Sequence, residues 1–383
     1  MGGMPPPDFA RSDSVQHLTP SRLSDNGLQP PKAICGAPAT DAPQTARERR
    51  GMRPEQDSNP TRKAGPIVFY GLSEAELPHF ERHEAHPVLI RKTVDQPIWL
   101  PPANAQAILS FIGAWRNAPN TAPEGWPFNI RYIQLASAGV DALPEWAWDG
   151  TTVACARGIT AEPIAEYVMA AIFRDIKRFD AMVARDHAHF QSIADEHKWP
   201  KDTLNAIRGK TLGLVGYGAI GQAIAQRARG MGMAVKALRR SGGDGSGLFA
   251  DSIHELAAQA DQLVLCAPAT PQTRHIINAG VLAACKPDAH LINVARGGLV
   301  DHDALGAALE KGFLRHATLD VTEPEPLPEG HPFYDSPKVT LTPHVAWFSA
   351  DHHERLTKKL LDNLSRWSRG EALADIAERG KGY

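Results

Sequence analysis

Only four cysteines occur in 383 residues, Cys35, Cys155, Cys266 and Cys285, and they are far apart with no CxxC pair among them. That scarcity excludes a disulfide framework and a thiolate zinc site, and it fits a reducing, cytoplasmic setting. Neither sign of charge is in excess: 41 basic and 43 acidic residues give a formal net charge of -2. Without a broad positive field, nucleic acid and anionic membrane are not expected partners, and a small molecule is. Long apolar runs are missing too. None approaches the ~18 residues of a membrane span, and the N-terminus lacks the apolar core of a secretory signal, so no membrane partner and no export are expected.

Aliphatic periodicity is absent from residues 1–65, where Pro5, Pro6, Pro7, Pro30 and Pro31 stand among scattered Ser, Asp and Arg. Such a segment buries too little surface to offset chain entropy, and we read it as a disordered N-terminal extension. The alternative is a true start at Met52, because folded-looking sequence begins at Pro66-Ile67-Val68-Phe69-Tyr70.

Beyond residue 65, a hydrophobic content of 43% with 22% charged residues leaves room for two cores. Short apolar runs at 67–70, 88–90, 107–111, 130–135 and 152–154 alternate with polar, proline-containing segments, the rhythm of a small α/β domain. Residues 160–179 change period. Ile164, Val168, Ile172 and Ile176 recur every four positions after Pro163, which predicts a long helix leaving that domain. From 211 to 342 strand and helix alternate, with candidate strands at 211–215, 234–238, 263–266, 290–294, 316–319 and 339–341. That order predicts a parallel sheet covered on both faces. Asp301 and Gly312 bracket one of its helices as N-cap and C-terminal stop. Leu356, Leu360, Leu361, Leu364 and Trp367 mark a last amphipathic helix that can return to the first domain.

The sequence Gly216-Tyr217-Gly218-Ala219-Ile220-Gly221 follows the apolar strand ending at Val215 and opens a helical segment. In this context GxGxxG is a dinucleotide turn. Gly216 permits the tight bend, Gly218 lets backbone approach a pyrophosphate, and Gly221 allows close helix packing. The N–H groups and dipole of the helix start would hold the phosphates. At the end of the next strand, where NAD-binding proteins carry an acid for the ribose hydroxyls, stand Arg239, Arg240 and Ser241. Two guanidinium groups and a hydroxyl suit a 2′-phosphate, so NADP is preferred, with NAD possible should these residues only form a solvated basic loop.

Three downstream blocks complete the pattern: Asn293-Val294-Ala295-Arg296-Gly297-Gly298-Leu299-Val300-Asp301, Leu319-Asp320-Val321-Thr322-Glu323-Pro324-Glu325-Pro326 and Thr342-Pro343-His344-Val345-Ala346. In order and spacing they resemble the arginine, glutamate and histidine signatures of the D-isomer-specific 2-hydroxyacid dehydrogenases, over residues 66–370. The resemblance points to the NADP-using glyoxylate/hydroxypyruvate reductase-like branch. It implies an α/β fold of two Rossmann-like domains with doubly wound parallel sheets. A discontinuous substrate domain (66–166, completed by 346–383) would accompany a dinucleotide-binding domain (167–345) in a homodimer. It also implies Arg296, Glu325 and His344 as the catalytic set.

The chemistry asks for such a set. Arg296 offers a planar fork to a 2-keto acid's carboxylate, His344 can protonate the developing alkoxide, and Glu325 can orient the imidazole. The resemblance further implies that Ala138 and Gly139, within Ser137-Ala138-Gly139-Val140-Asp141, hold the substrate carboxylate with backbone N–H groups. Pro268 and Thr273 would line the adenosine side, with Val294 and Ala295 along the cofactor and Asp320 at the nicotinamide amide.

Two further patterns carry no function. Pro337 breaks the helix that Tyr334 and Lys338 would need as a YxxxK pair, and His79, His83 and His86 have helical spacing in a charged segment without a further metal ligand. No metal is expected. Cys155 and Cys285 lack a neighbouring base and are read as packing residues. The function expected is hydride transfer between NADP(H) and a small 2-keto or D-2-hydroxy acid, glyoxylate or hydroxypyruvate first. The alternatives are a dinucleotide-sensing corepressor or scaffold, and an NAD-dependent dehydrogenase with another substrate.

Overall fold

Among the described residues, eleven short strands, each three to five residues long, carry the architecture in a computed structural model of the protein. It describes residues 65–178, 182–196 and 206–382. The expectation for residues 1–64, and Cys35 with it, lies outside these.

The first five strands are β1 (Ile67–Gly71), β2 (Val88–Arg91), β3 (Ala107–Ser110), β4 (Tyr132–Leu135) and β5 (Thr152–Ala154). They form one sheet in the order β2-β1-β3-β4-β5, and every recorded pairing is parallel. Alternation along each strand sends side chains to opposite faces. Phe69, Ile108 and Ile133 join the aromatic core of Trp115 and Trp146 on one side. On the other, Val68, Tyr70 and Leu109 pack against the helix Leu77–Glu81 and against Leu356, Leu360 and Leu364 of the helix His352–Ser368. The amphipathic stripe at the end of the chain therefore completes the first lobe.

The second sheet contains β6 (Thr211–Val215), β7 (Ala234–Leu238), β8 (Gln262–Leu265), β9 (His290–Asn293), β10 (His316–Leu319) and β11 (Val339–Leu341). Its order is β11-β10-β9-β8-β6-β7, again parallel throughout. Leu212, Leu214, Val264 and Ile292 face the helices Ala161–Lys177 and Ala219–Gly230. Val215, Leu263, Leu265 and Leu291 face the opposite layer, built on the helices Ile253–Gln259, Ala279–Ala283 and His302–Lys311. Asp301 caps the last of these through Ala304 N–H at 3.0 Å, and Gly312 ends it at φ 73°. The chain leaves β6 for β7 on one side and returns as β8 on the other. The C-terminal end of β6 is thus the switch point where ligands of open α/β sheets gather.

Strand bounds differ from the sequence reading by a residue or two where a turn takes the boundary. Ile130 N–H, for example, is spent on the Pro127 carbonyl, so β4 starts at Tyr132. His79, His83 and His86 share no helical face. Their helix stops at Glu81, His83 Nε2 lies 2.9 Å from Ser365 Oγ, and His86 sits at φ 44°. Tyr334 and Lys338 diverge likewise, the first donating to the Leu327 carbonyl and the second to that of Leu309. Among the described residues no helix is long and apolar enough to cross a membrane.

At the N-terminal ends of β8 to β11 lies a buried polar layer. His290, with no exposed surface, meets Gln262 Oε1 at 2.9 Å and Thr318 Oγ1 at 2.8 Å. Beside it Asp175 takes a two-point pair from Arg315 at 2.7 and 2.6 Å. Burial pushes the His290 imidazole down to about 3 from an ordinary 6.5, despite the nearby Asp175 charge. A depressed histidine contributes stability that is full above 6.5 and lost as the pH falls toward 3. Asp175 acts lower, since its carboxyl is held below 3.8. Denaturant titrations should therefore lose about 1 kcal/mol per pH unit between pH 6.5 and 4. His290→Gln should start less stable at pH 8 and show a shallower slope; an equal slope would assign the acid limb elsewhere.

Candidate active site

Parallel pairing puts the C-terminal ends of all six strands of the second sheet along one edge, and each end carries a segment singled out by sequence. After β6 comes the glycine turn. Gly216 has φ 104°, and a Cβ there would stand 2.8 Å from Ala267 N, so both backbone angle and space require glycine. A Cβ at Gly221 would meet the Gly216 carbonyl oxygen at 2.6 Å. Cys266 closes this packing, its thiol 3.2 Å from the same carbonyl and raised to about 12 by burial, an inert filler. Gly218 is different. It lies at the head of the helix Ala219–Gly230 with φ -80°, and a Cβ on it would project into open space.

No side chain caps that helix and no acid occupies its first turn, which leaves N–H groups and a positive dipole end facing outward. Gly218 and Ala219 are exposed there, with Ile220 half-buried. The residues fit a bound dinucleotide: the pyrophosphate would lie on this helix start. Tyr217 packs edge-on against Phe249, at a centroid distance of 5.5 Å.

After β7, Arg239 lies over the Phe249 ring at 3.8 Å, donates from Nε to the Gly242 carbonyl at 2.8 Å and pairs with Asp244 at 3.2 Å. Its guanidinium already binds an anion on the loop. Arg240 and Ser241 are exposed beside it. After β8, the Thr273 hydroxyl donates to the Pro268 carbonyl at 2.8 Å, folding 268–273 into a compact turn.

After β9, Val294 is buried, and the Asn293 side chain holds the bend by accepting from Ala295 N–H and donating to the Arg296 carbonyl. The Arg296 guanidinium emerges from this bend. Nη1 donates to the Ala295 carbonyl, while Nε and Nη2 reach the two carboxylate oxygens of Asp141 at 3.3 and 3.2 Å. Asp141 belongs to the first lobe, in the loop after β4. Burial raises its carboxyl, but the Arg296 charge and hydrogen bonds outweigh that and hold it below the ordinary value. Ala138 and Gly139 lie half-buried in the same loop, and a Cβ on Gly139 would stand 2.3 Å from Arg296 Nη2.

After β10 and β11 come the remaining two segments. Asp320, 2% exposed, accepts from Thr342 Oγ1 at 2.6 Å, Val345 N–H at 2.9 Å and Ala346 N–H at 3.0 Å. Its carbonyl accepts from His344 N–H at 2.8 Å. The turn so pinned holds His344 at φ 57° and directs Nδ1 to Glu325 Oε1 at 2.9 Å. In the same loop Glu323 accepts from Arg274, whose Nη1 lies 3.0 and 3.1 Å from its two carboxylate oxygens. Gly297 lies so close to this loop that a Cβ would fall 2.0 Å from the Thr322 carbonyl carbon.

Arg296, Glu325 and His344 thus follow three successive strands, β9, β10 and β11, on the edge of the sheet that also carries the glycine turn. Sequence reasoning did not single out Asp141, although a carboxylate closing a loop expected to bind an anion was itself the signal. It also had no means to see Tyr167, whose hydroxyl lies 2.6 Å from Thr342 Oγ1 behind Asp320. Among the described residues no cluster of His, Cys, Asp or Glu is arranged to hold a metal.

Two parallel α/β lobes, a glycine turn at the switch point and a cation, carboxylate and imidazole on the same sheet edge define a nicotinamide-dinucleotide oxidoreductase. The family model for the NAD-binding domain of D-isomer-specific 2-hydroxyacid dehydrogenases matches residues 169–346. Glyoxylate/hydroxypyruvate reductase A of Serratia proteamaculans is 36% identical over 267 residues, 66% of this chain and 82% of that one. Glycerate dehydrogenase of Methylorubrum extorquens is 33% identical, over 63% of this chain and 77% of the relative. The solved NADPH-dependent glyoxylate/hydroxypyruvate reductase of Sinorhizobium meliloti, in complex with NADP and malonate, superposes with a TM-score of 0.65 at 26% identity. That match covers 84% of this chain and 99% of that one. The chain belongs to the D-isomer-specific 2-hydroxyacid dehydrogenase family, enzymes acting on the CH–OH group of donors.

The glycines separate fold from binding. Gly216→Ala and Gly221→Ala should each cost about 1–3 kcal/mol of stability, measured by denaturant unfolding. Gly218→Ala should unfold within about 0.5 kcal/mol of the parent yet lose most dinucleotide affinity by fluorescence titration. Retained affinity would remove the pyrophosphate from this turn.

Proposed function

We propose that the protein reduces a small 2-keto acid, glyoxylate or hydroxypyruvate, with NADPH. What supports this reading is that Arg296, Glu325 and His344 follow three successive strands of one parallel sheet, with His344 Nδ1 2.9 Å from Glu325 Oε1. The printed names of the Serratia and Sinorhizobium relatives support the substrate class, and the bound NADP of the latter supports the cofactor. In this reading residues 66–166 with 346–383 form the substrate domain and 167–345 the dinucleotide domain, in a cytoplasmic homodimer.

The bound cofactor supplies the hydride. Gly216 through Gly221 would hold its pyrophosphate, Arg239, Arg240 and Ser241 its 2′-phosphate, and Pro268 and Thr273 its adenosine. Val294, Ala295 and Asp320 line the nicotinamide side, Asp320 with the acceptor capacity left beside its three donors. Ala138 and Gly139 offer backbone N–H groups to the substrate carboxylate, and the Arg296 fork polarises the ketone. Asp141 keeps that fork across the cleft until substrate enters. Because Glu325 faces Nδ1, the ring presents Nε2 to the carbonyl oxygen and delivers the proton there.

Steady-state assays with glyoxylate, hydroxypyruvate and related keto acids test the reaction; tight NADPH binding without turnover on any of them would favour a sensor. His344→Ala should lower kcat by about 10² to 10⁴ with NADPH affinity retained. An unaltered rate would sink the proton-donor role. Arg239→Asp should weaken NADPH by at least about tenfold more than NADH, whereas equal effects on both would remove the 2′-phosphate contact.

A further inference from the structure

The segment that follows the last helix does not stay with the first lobe. Asn363, fully buried in the helix His352–Ser368, grips Ala374 at two points, Nδ2 to its carbonyl at 3.0 Å and Oδ1 from its N–H at 2.8 Å. Ile376 then bridges antiparallel to Ala154. Cys155 N–H donates to the Asp375 carbonyl at 3.1 Å, and Ala377 N–H to that of Val153 at 2.9 Å. The segment is thereby an outer edge on β5. Arg379 adds an anchor, with Nε 2.7 Å from Glu145 and Nη1 3.0 Å from Asp149.

Three residues later the chain has crossed to the second lobe. Gly382 packs on the turn after β8, where a Cβ would stand 2.9 Å from Pro268 Cβ, 3.0 Å from the Ala269 carbonyl and 3.2 Å from Thr270 Cγ2. Gly380 and Gly382 have φ of 77° and 81°, conformations that glycine adopts without strain. Glu378, between the two anchors, lies in the field of Arg240 and Arg157. Its carboxyl is held below the ordinary value first by a hydrogen bond to Lys381 and then by these charges. The path is therefore specified by side-chain anchors at one end and by close backbone contact at the other.

We propose that Glu378–Gly382 is a strap that completes the adenosine end of the dinucleotide site, so that nucleotide is held by both lobes. The proposal rests on the reading above that Pro268, Thr273 and Arg240 face adenosine. Through Gly382 the strap packs on that turn, and the charge of Arg240 is felt at Glu378. Because it is rooted on β5, closure of the first lobe over the second and enclosure of the adenosine become one event. Ordering the segment in advance spares that cost on binding.

Two variants test this: truncation after Glu378, and Gly382→Val, whose side chain cannot seat against Pro268. Each is titrated with NADPH, with NADH and with adenosine 2′,5′-bisphosphate, which contains the adenosine end alone. Both variants should bind NADPH and the bisphosphate about tenfold more weakly, with the unliganded melting temperature shifted by less than about 2 °C. If truncation unfolds the protein, Gly382→Val carries the test alone. Unaltered affinity in Gly382→Val overturns the strap, as does weakened NADPH with unaltered bisphosphate, which places the effect away from adenosine. Failure of the intact chain to bind either NADPH or NADH overturns the dinucleotide reading instead, and the strap with it.

Discussion

The Asp320 carboxylate gathers the Thr342 hydroxyl and two backbone N–H groups, while its own carbonyl receives the N–H of His344. A buried carboxylate is tolerated because those donors satisfy it, and it in turn fixes a turn that a free chain would not choose. His344 sits at φ 57° only because residues on both sides of it are held. From this follow the direction of the imidazole, its meeting with Glu325, and the exit of the chain toward the helix that completes the first lobe. One residue at the end of β10 links the geometry of the site to the joining of the lobes.

Most of the fold was legible because parallel strands buried on both faces leave a strong mark. The runs at 211–215, 234–238, 316–319 and 339–341 coincide with β6, β7, β10 and β11. The glycine turn was equally legible, since each glycine answers a local steric demand that sequence neighbours impose. Residues acting across a fold distance were harder. Asp141 and Arg296 are 155 positions apart, and nothing in local composition says that a carboxylate from one lobe meets a guanidinium from the other. Tyr167 behind Thr342 is a similar case, a helix residue whose partner is 175 positions away. The histidine spacing at 79, 83 and 86 misleads for the opposite reason: periodicity persists in the sequence after the helix has ended.

Charge at the site is arranged as reserved pairs. Arg239 is held by Asp244 and Arg296 by Asp141, each at 3.2 Å and each partly open to solvent. Exposed or half-exposed pairs of this kind contribute little to stability. Their effect is to keep two flexible cations extended and oriented, so that in the proposed reading a 2′-phosphate at Arg239 or a substrate at Arg296 would replace the partner carboxylate without having to order the guanidinium.

Gly297 stands with its α-carbon against the Thr322 peptide, backbone on backbone, with no side chain between them to absorb a change of length. Loops in such contact have to be inherited together. An insertion in the arginine bend would displace the glutamate loop, and a deletion in the latter would leave a gap that no rotamer fills. A change of length meets less resistance in the loop after β4, where the Gly139 backbone lies against the tip of the long Arg296 side chain.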